Sequence, residues 1–222
     1  PEVDVLRGVE NTSGPLGQGH VMAIGAAIAE RFLVERFGDW MAHKTYTFIS
    51  DGGVQEEISQ GAGRIAGFLG LNNLIMFYDS NDIQLSTTTG EVTKEDTAKK
   101  YDAWGWNVIS IEGNNPTQIR EALKTANAET EKPTIIIGKT IMGKGAVTEA
   151  GENYEKKCET HGMPLTNAGA SFAKSIENLG GKAENPFQVF ADVKQLYEKR
   201  KEELIEAAAT KKAVQSEWQK AN

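Results

Sequence analysis

The sequence is short of the features that several protein classes need. Its 222 residues include one cysteine, Cys158; a lone thiol closes no internal disulfide and builds no cysteine-based zinc site. No apolar run approaches the roughly 18 to 20 residues that span a bilayer, and stretches such as 26–29 and 135–137 hold only a few residues. No signal-peptide core is visible either, so no membrane association is expected and the cytoplasm is the default compartment. Basic residues are outnumbered, 24 Lys and Arg against 31 Asp and Glu for a net charge of −7. No segment gathers them on one face with aromatics between, which excludes a phosphate-tracking nucleic-acid binder. No repeat of 20 to 50 residues is present, and solenoids and propellers go with it. What is there is ordinary for a globular domain: 39% hydrophobic and 25% charged residues, enough for a real core and too apolar for disorder. The chain starts at Pro1 rather than Met, and the expectation is a piece of something longer.

The chain reads as alternating strands and helices. Residues up to about 19 are Gly-rich and aperiodic. The spacing then predicts a helix over 20–37, with Val21, Ile24, Ile28, Phe32 and Val34 or Phe37 near one stripe, ended by Gly38-Asp39. β-branched and aromatic runs predict strands over 45–50, 73–78, 107–111 and 133–139. Helices are expected between them, over 54–69 through Ile58, Ala62, Ile65, Ala66 and Leu69, over 94–104, and from Pro116 to about 129. The pattern βαβαβαβ implies an α/β fold, a doubly wound, mainly parallel sheet with helices on both faces. After residue 140 the text is loop-like, and from 186 it turns to Glu, Lys, Ala and Gln at helical spacing. The expected division is an α/β domain over 1–185 and a helical connector over 186–222.

In an open parallel sheet ligands sit beyond the carboxyl ends of the strands. The first strand runs into Asp51-Gly52-Gly53 and the second into Asp79-Ser80-Asn81-Asp82-Ile83, so Asp51 and Asn81 stand one βαβ unit apart. Two oxygen ligands from adjacent strand ends suit a hard cation such as Mg²⁺, completed by backbone carbonyl, phosphate and water. The following helix start, near Val54, favours an anion. The competing reading is that Asp-Gly and Asn81 simply make turns. The run Gly61-Ala62-Gly63-Arg64-Ile65-Ala66-Gly67 imitates a dinucleotide fingerprint, but polar, helical residues precede it instead of a strand, and close helix packing explains it better. Gly14-Pro15-Leu16-Gly17-Gln18-Gly19 is a second cluster, directly before a helix. Of His20, His43 and His161, the last is the candidate, because it lies in a long irregular loop after the final strand. Glu56 and Glu57 can simply suit a helix start. Cys158 has no visible activating partner.

Taken together, these motifs resemble the transketolases. Gly14-Pro15-Leu16-Gly17-Gln18-Gly19, Ser50-Asp51-Gly52 with Gln55-Glu56, Tyr78-Asp79-Ser80-Asn81 with Ile83, and His161-Gly162-Met163-Pro164-Leu165 occur in that family's order and spacing across nearly the whole chain. The resemblance implies thiamine diphosphate and Mg²⁺ or Ca²⁺ as cofactors. It implies that Asp51, Asn81 and the carbonyl of Ile83 hold the cation, that Gly14 and Leu16 contact the thiamine, and that Gly52 contacts the diphosphate. His161 is implied to be catalytic, at the diphosphate side near the reacting sugar. The resemblance also implies that Glu56 is catalytic, within an acidic network that joins the two cofactors of a homodimer. The implied reaction is two-carbon glycolaldehyde transfer from a ketose phosphate to an aldose phosphate, in the cytoplasmic pentose phosphate pathway, with the hard chemistry supplied by the cofactor.

Two positions depart from the family pattern: Ser50 stands where Gly usually precedes Asp-Gly, and Glu57 replaces a usual Gly. Family members are also much longer. Pro1-Glu2 follows the point where a substrate-contacting His is usual, and the pyrimidine-binding domain with its activating Glu lies elsewhere. The expectation is a diphosphate-domain fragment without turnover of its own. A dihydroxyacetone synthase-like enzyme remains an alternative, whereas Gly14–Gly19 argues against a deoxyxylulose phosphate synthase. A binding or dimerisation module with a decayed site is the non-enzymatic alternative.

Overall fold

The computed structural model describes residues 3–7 and 10–222; the opening Pro1-Glu2 lies outside the described residues. Four strands, β1 (Thr45–Ser50), β2 (Leu74–Ser80), β3 (Asn107–Glu112) and β4 (Thr134–Lys139), form one parallel sheet in the order β1-β2-β4-β3. The helices in chain order are α1 (Gln18–Phe37), α2 (Asp51–Gln55), α3 (Glu57–Phe68), α4 (Thr89–Val92), α5 (Thr97–Ala103), α6 (Pro116–Ala128), α7 (Leu165–Ala168), α8 (Phe172–Asn178) and α9 (Ala191–Ala221). The central strands β2 and β4 are the most apolar, and Leu74, Ile75, Met76, Ile135 and Ile136 are buried, as a strand covered on both faces requires. On one face Ile24, Ala27, Ala62, Ala66 and Tyr101 join Ile49, Leu74, Met76, Tyr78 and Ile135 in a single core. On the other face Ala122 and Ala126 of α6 pack on Ile75 and Ile136. The doubly wound α/β reading therefore holds, with Asn115 accepting from the N–H groups of Thr117 and Gln118 to cap α6 ahead of Pro116.

Two helix faces differ from the sequence reading. Along α1 the buried residues are His20, Ile24, Ala27 and Glu30, while Phe32 is 61% exposed and Ile28 also faces outward. Glu30 can be inside because its carboxylate accepts from Asn73 Nδ2 at 2.7 Å and from the His43 N–H at 3.0 Å. Along α3, Ile58 and Ile65 are half-exposed and Ser59, Ala62, Gly63 and Ala66 face inward. Small residues win that face because the backbone comes close. Trp106 Nε1 donates to the Gly63 carbonyl at 2.8 Å, and a Cβ on Gly63 would sit 3.2 Å from the Trp104 ring. Gly63 and Gly67 of the Gly61–Gly67 run thus belong to a packing surface.

Several boundaries also move. The helix expected over 54–69 is two helices that break at Glu56, whose backbone is extended. The one expected over 94–104 is α5 alone, preceded by the short α4, and β2 continues two residues beyond Tyr78. The stretch after 140 contains α7 and α8. In the 186–222 segment, α9 is exposed along its length and meets the domain at its far end, where Trp218 lies edge-on to Phe37 at 5.4 Å and beside Trp40 at 6.3 Å. Among the described residues no helix is long and apolar enough to cross a membrane.

His20 carries a pH prediction. It is 3% exposed, neither ring nitrogen has a partner among the described residues, and burial lowers its pKa from 6.5 to about 4. The folded chain keeps it neutral while the unfolded chain binds a proton below 6.5, so this contribution is complete above that pH and is lost as pH falls towards about 4. Denaturant unfolding at pH 7 and pH 5 should differ by about 2 kcal/mol through this residue. In His20→Leu that increment should vanish; an unchanged pH dependence would refute the assignment.

Candidate functional site at the strand ends

β1 delivers Asp51 to the carboxyl end of the sheet, and β2 in register beside it delivers the turn that begins at Asn81. The Asp51 carboxylate is 2% exposed. Tyr78 donates its hydroxyl to one oxygen at 2.6 Å, and the N–H groups of Asn81 and Asp82 donate to the other at 2.9 and 3.1 Å. Burial raises the Asp51 pKa above the usual 3.8, with a smaller contribution from the Asp82 charge, and the three hydrogen bonds only partly oppose it. Burial first, and then the bond to Asp51, push the Tyr78 phenol well up, so it remains a donor. The Asn81 side-chain oxygen accepts from the Ile83 N–H at 2.9 Å, and Thr88 bridges to Ile83.

These residues fit a hard divalent cation. The Asp51 carboxylate and the Asn81 amide oxygen lie on two adjacent strand ends, and with the backbone carbonyl of Ile83 in the same turn they are all oxygen donors. A buried carboxylate whose pKa is pushed up is a group whose ionised form gains from a cation beside it. Among the described residues no three His, Cys, Asp or Glu come together as a metal-binding group.

The glycine cluster before α1 comes to the same end of the molecule. A Cβ on Gly52 would lie 3.3 Å from Leu16 Cδ1, which puts Leu16 directly over the Asp51 turn. Gly17 has φ +82, and a Cβ there would approach Ile58 Cγ2 to 2.6 Å and Glu56 Cβ to 3.1 Å, so only glycine lets this loop seat on the start of α3. Gly14 is exposed in open space and Leu16 is half-exposed. The two departures have local structural uses. The Ser50 hydroxyl accepts from the Gly53 N–H at 3.2 Å and caps α2, while Glu57 opens α3; neither displaces Asp51.

His161 follows a 3₁₀ turn at Cys158–Thr160, and its N–H donates to the Cys158 carbonyl at 2.9 Å. That segment packs on the turn after β4, with the Lys156 N–H on the Met142 carbonyl, which brings it to the carboxyl end of the sheet. No hydrogen bond among the described residues joins His161 to Asp51 or Asn81, and its Nδ1 is enclosed without a partner. His43, by contrast, has Nδ1 against the Met41 carbonyl at 2.8 Å, a local structural contact.

Three contributors were not singled out in the sequence: Tyr78, Asp82 and Lys139. Lys139 ends β4 opposite Ser80 of β2 and pairs with Asp82. Tyr78 ends the strand expected over 73–78 and shares a face of β2 with Leu74 and Met76, so its place is legible in the sequence while its bond to Asp51 is not. A cavity of about 540 Å³ opens beside these groups, lined by Tyr78, Ser80, Asp82, Ser110 and Lys139. A second concavity of about 570 Å³, beside Asn107 and Glu129, lies at the opposite end of the sheet and is not part of the site.

The fold is a parallel α/β domain with Asp51 and the 81–83 turn at two adjacent strand ends and a glycine loop laid over them, and similarity to known proteins gives its class. The family model described as "Transketolase, thiamine diphosphate binding domain" matches residues 1–222. Transketolase 1 of Pasteurella multocida (strain Pm70) is 45% identical over 170 residues, 74% of this chain and 25% of that protein. Transketolase 1 of Vibrio cholerae serotype O1 is 38% identical over 222 residues, 98% of this chain and 31% of that protein. The solved structure of transketolase from Leishmania mexicana superposes with a TM-score of 0.78 at 31% identity, covering 96% of this chain and 30% of that one. The chain belongs to the transketolase family and carries its thiamine diphosphate-binding domain. It spans less than a third of the length of these relatives.

Proposed function

We propose that this chain holds the diphosphate end of thiamine diphosphate through a divalent cation, Mg²⁺ or Ca²⁺. The observation that carries the reading is the buried Asp51 carboxylate joined to the Asn81–Ile83 turn at neighbouring strand ends. Asp51, Asn81 and the Ile83 carbonyl would be the protein's donors. Gly52 gives the backbone room beside the diphosphate, and Leu16 and Gly14 offer a surface for the thiamine. Glu56, at the break between α2 and α3, is free of regular helix geometry and suits a role at a subunit boundary. His161 would hold or move a proton on the diphosphate side. When bound, the cofactor supplies the carbon nucleophile that the side chains of this domain lack.

In the parent enzyme we assign a two-carbon transfer between a ketose phosphate and an aldose phosphate, a homodimer, a place in the pentose phosphate pathway and a cytoplasmic location. The division at 185/186 into diphosphate domain and connector goes with that assignment. Turnover needs residues beyond these, so the chain alone should bind and not transfer. Calorimetric titration with thiamine diphosphate tests the core of the reading. Binding is expected with Mg²⁺ present and should disappear in excess chelator; binding indifferent to the chelator would overturn a cation-bridged site.

A further inference from the structure

Outside glycine, two described residues have positive φ, Asp82 at 66° and Lys156 at 57°. Asp82 lies between the two donors Asn81 and Ile83, so the shape of the donor turn depends on a residue in a conformation that L side chains pay to adopt. Its backbone is fixed on both sides, N–H to Asp51 at 3.1 Å and carbonyl to the Thr89 N–H at 3.0 Å. Its side chain is fixed from a different element. Lys139, the last residue of β4, places its ammonium on the Asp82 carboxylate at 2.5 Å across 57 residues of sequence. The lysine itself grows from a rigid point, since Lys139 pairs with Ser80 in the β2–β4 ladder and the next N–H, of Thr140, donates to the Ser80 carbonyl at 3.0 Å.

We propose that Lys139 is a positioning residue. Through Asp82 it holds the Asn81-Asp82-Ile83 turn in the left-handed geometry that presents two N–H groups to Asp51 and aligns the Asn81 and Ile83 oxygens for the cation. The inference rests on the cation-diphosphate reading given above. Both partners are about half exposed, with side-chain exposures of 53% and 52%, so the pair adds little to global stability. Its effect is local: a tether from the end of β4 to the tip of a strained turn.

Two readouts on this chain test it, amide hydrogen exchange at Asn81 and Asp82 without ligand and calorimetric affinity for thiamine diphosphate with Mg²⁺. Lys139→Ala should speed exchange of both amides and weaken affinity by about fivefold, the most that one exposed ion pair contributes. Lys139→Arg should retain both. Asp82→Gly relaxes the turn, because glycine occupies positive φ without strain, and in that background adding Lys139→Ala should change neither readout. A lysine acting by any route other than Asp82 would not show that cancellation. Unchanged exchange in Lys139→Ala overturns the proposal. So does an equal loss of affinity with and without Asp82→Gly, which would make Lys139 a direct point charge on the diphosphate. If the unsubstituted chain binds nothing, the cation-diphosphate reading fails, while the exchange comparison still decides whether Lys139 holds the turn.

Discussion

Gly67→Ala should cost the fold about 3 kcal/mol, although the same exchange in an open helix gains up to about 1 kcal/mol from propensity. The sign is decided by one contact. A Cβ on Gly67 would stand 1.8 Å from the Trp104 carbonyl oxygen and 3.2 Å from Trp106 Cδ1. Backbone cannot rotate away as a side chain can, so α3 or the 104–106 turn must move by more than an ångström. That shift would also pull Trp106 Nε1 from the Gly63 carbonyl and loosen the Tyr101–Trp106 edge contact at 5.1 Å. Gly61, six residues earlier on the same helix, provides the control, because a Cβ there meets nothing nearer than the tip of Arg64 at 4.0 Å. Gly61→Ala should be neutral or stabilise by up to about 1 kcal/mol. Urea unfolding of the two variants therefore separates packing from propensity; equal midpoints would show that α3 does not approach Trp104 this closely.

The second large effect is on binding. Asp51→Asn should lower the Mg²⁺-dependent affinity for thiamine diphosphate by at least about 100-fold, as expected when the one charged protein donor to the cation is removed. The fold should survive. The asparagine oxygen can still accept from the Asn81 and Asp82 N–H groups, and removing a charge whose burial raises its pKa offsets part of the lost hydrogen bonding. A net change within about 1 to 3 kcal/mol of stability is expected. Calorimetry and thermal unfolding on the same sample keep the two effects apart. Affinity retained in Asp51→Asn would remove Asp51 from the cation shell.

The strands were the most legible part of the sequence. The pattern predicts Thr45–Ser50 to the residue, and Ile135-Ile136-Ile137 marks a strand covered on both faces, because period-2 and fully apolar patterns are local signals. Helix faces were less legible. In α1, Ile24 is buried and Val21 packs against the core as their spacing predicts, but Ile28 and Phe32 face outward, and burial goes instead to Ala27 and to Glu30, whose carboxylate is satisfied by Asn73 and His43 from elsewhere in the chain. At the site, Asp51 and Asn81 were visible from their spacing. Tyr78 and Lys139 were not, because their importance lies in contacts across 27 and 57 residues.

By itself the sequence determined the fold class and the placement of Asp51 and Asn81 at two neighbouring strand ends, because β-branched runs, glycine turns and the length of a βαβ unit are local properties of the chain. The tertiary structure decided the strand order β1-β2-β4-β3, the small-residue face on which α3 meets Trp104, and the left-handed turn at Asp82 that Lys139 grips. Each of these depends on which distant backbone comes within a few ångströms. That approach is set by packing of the whole core, which no single window of sequence contains.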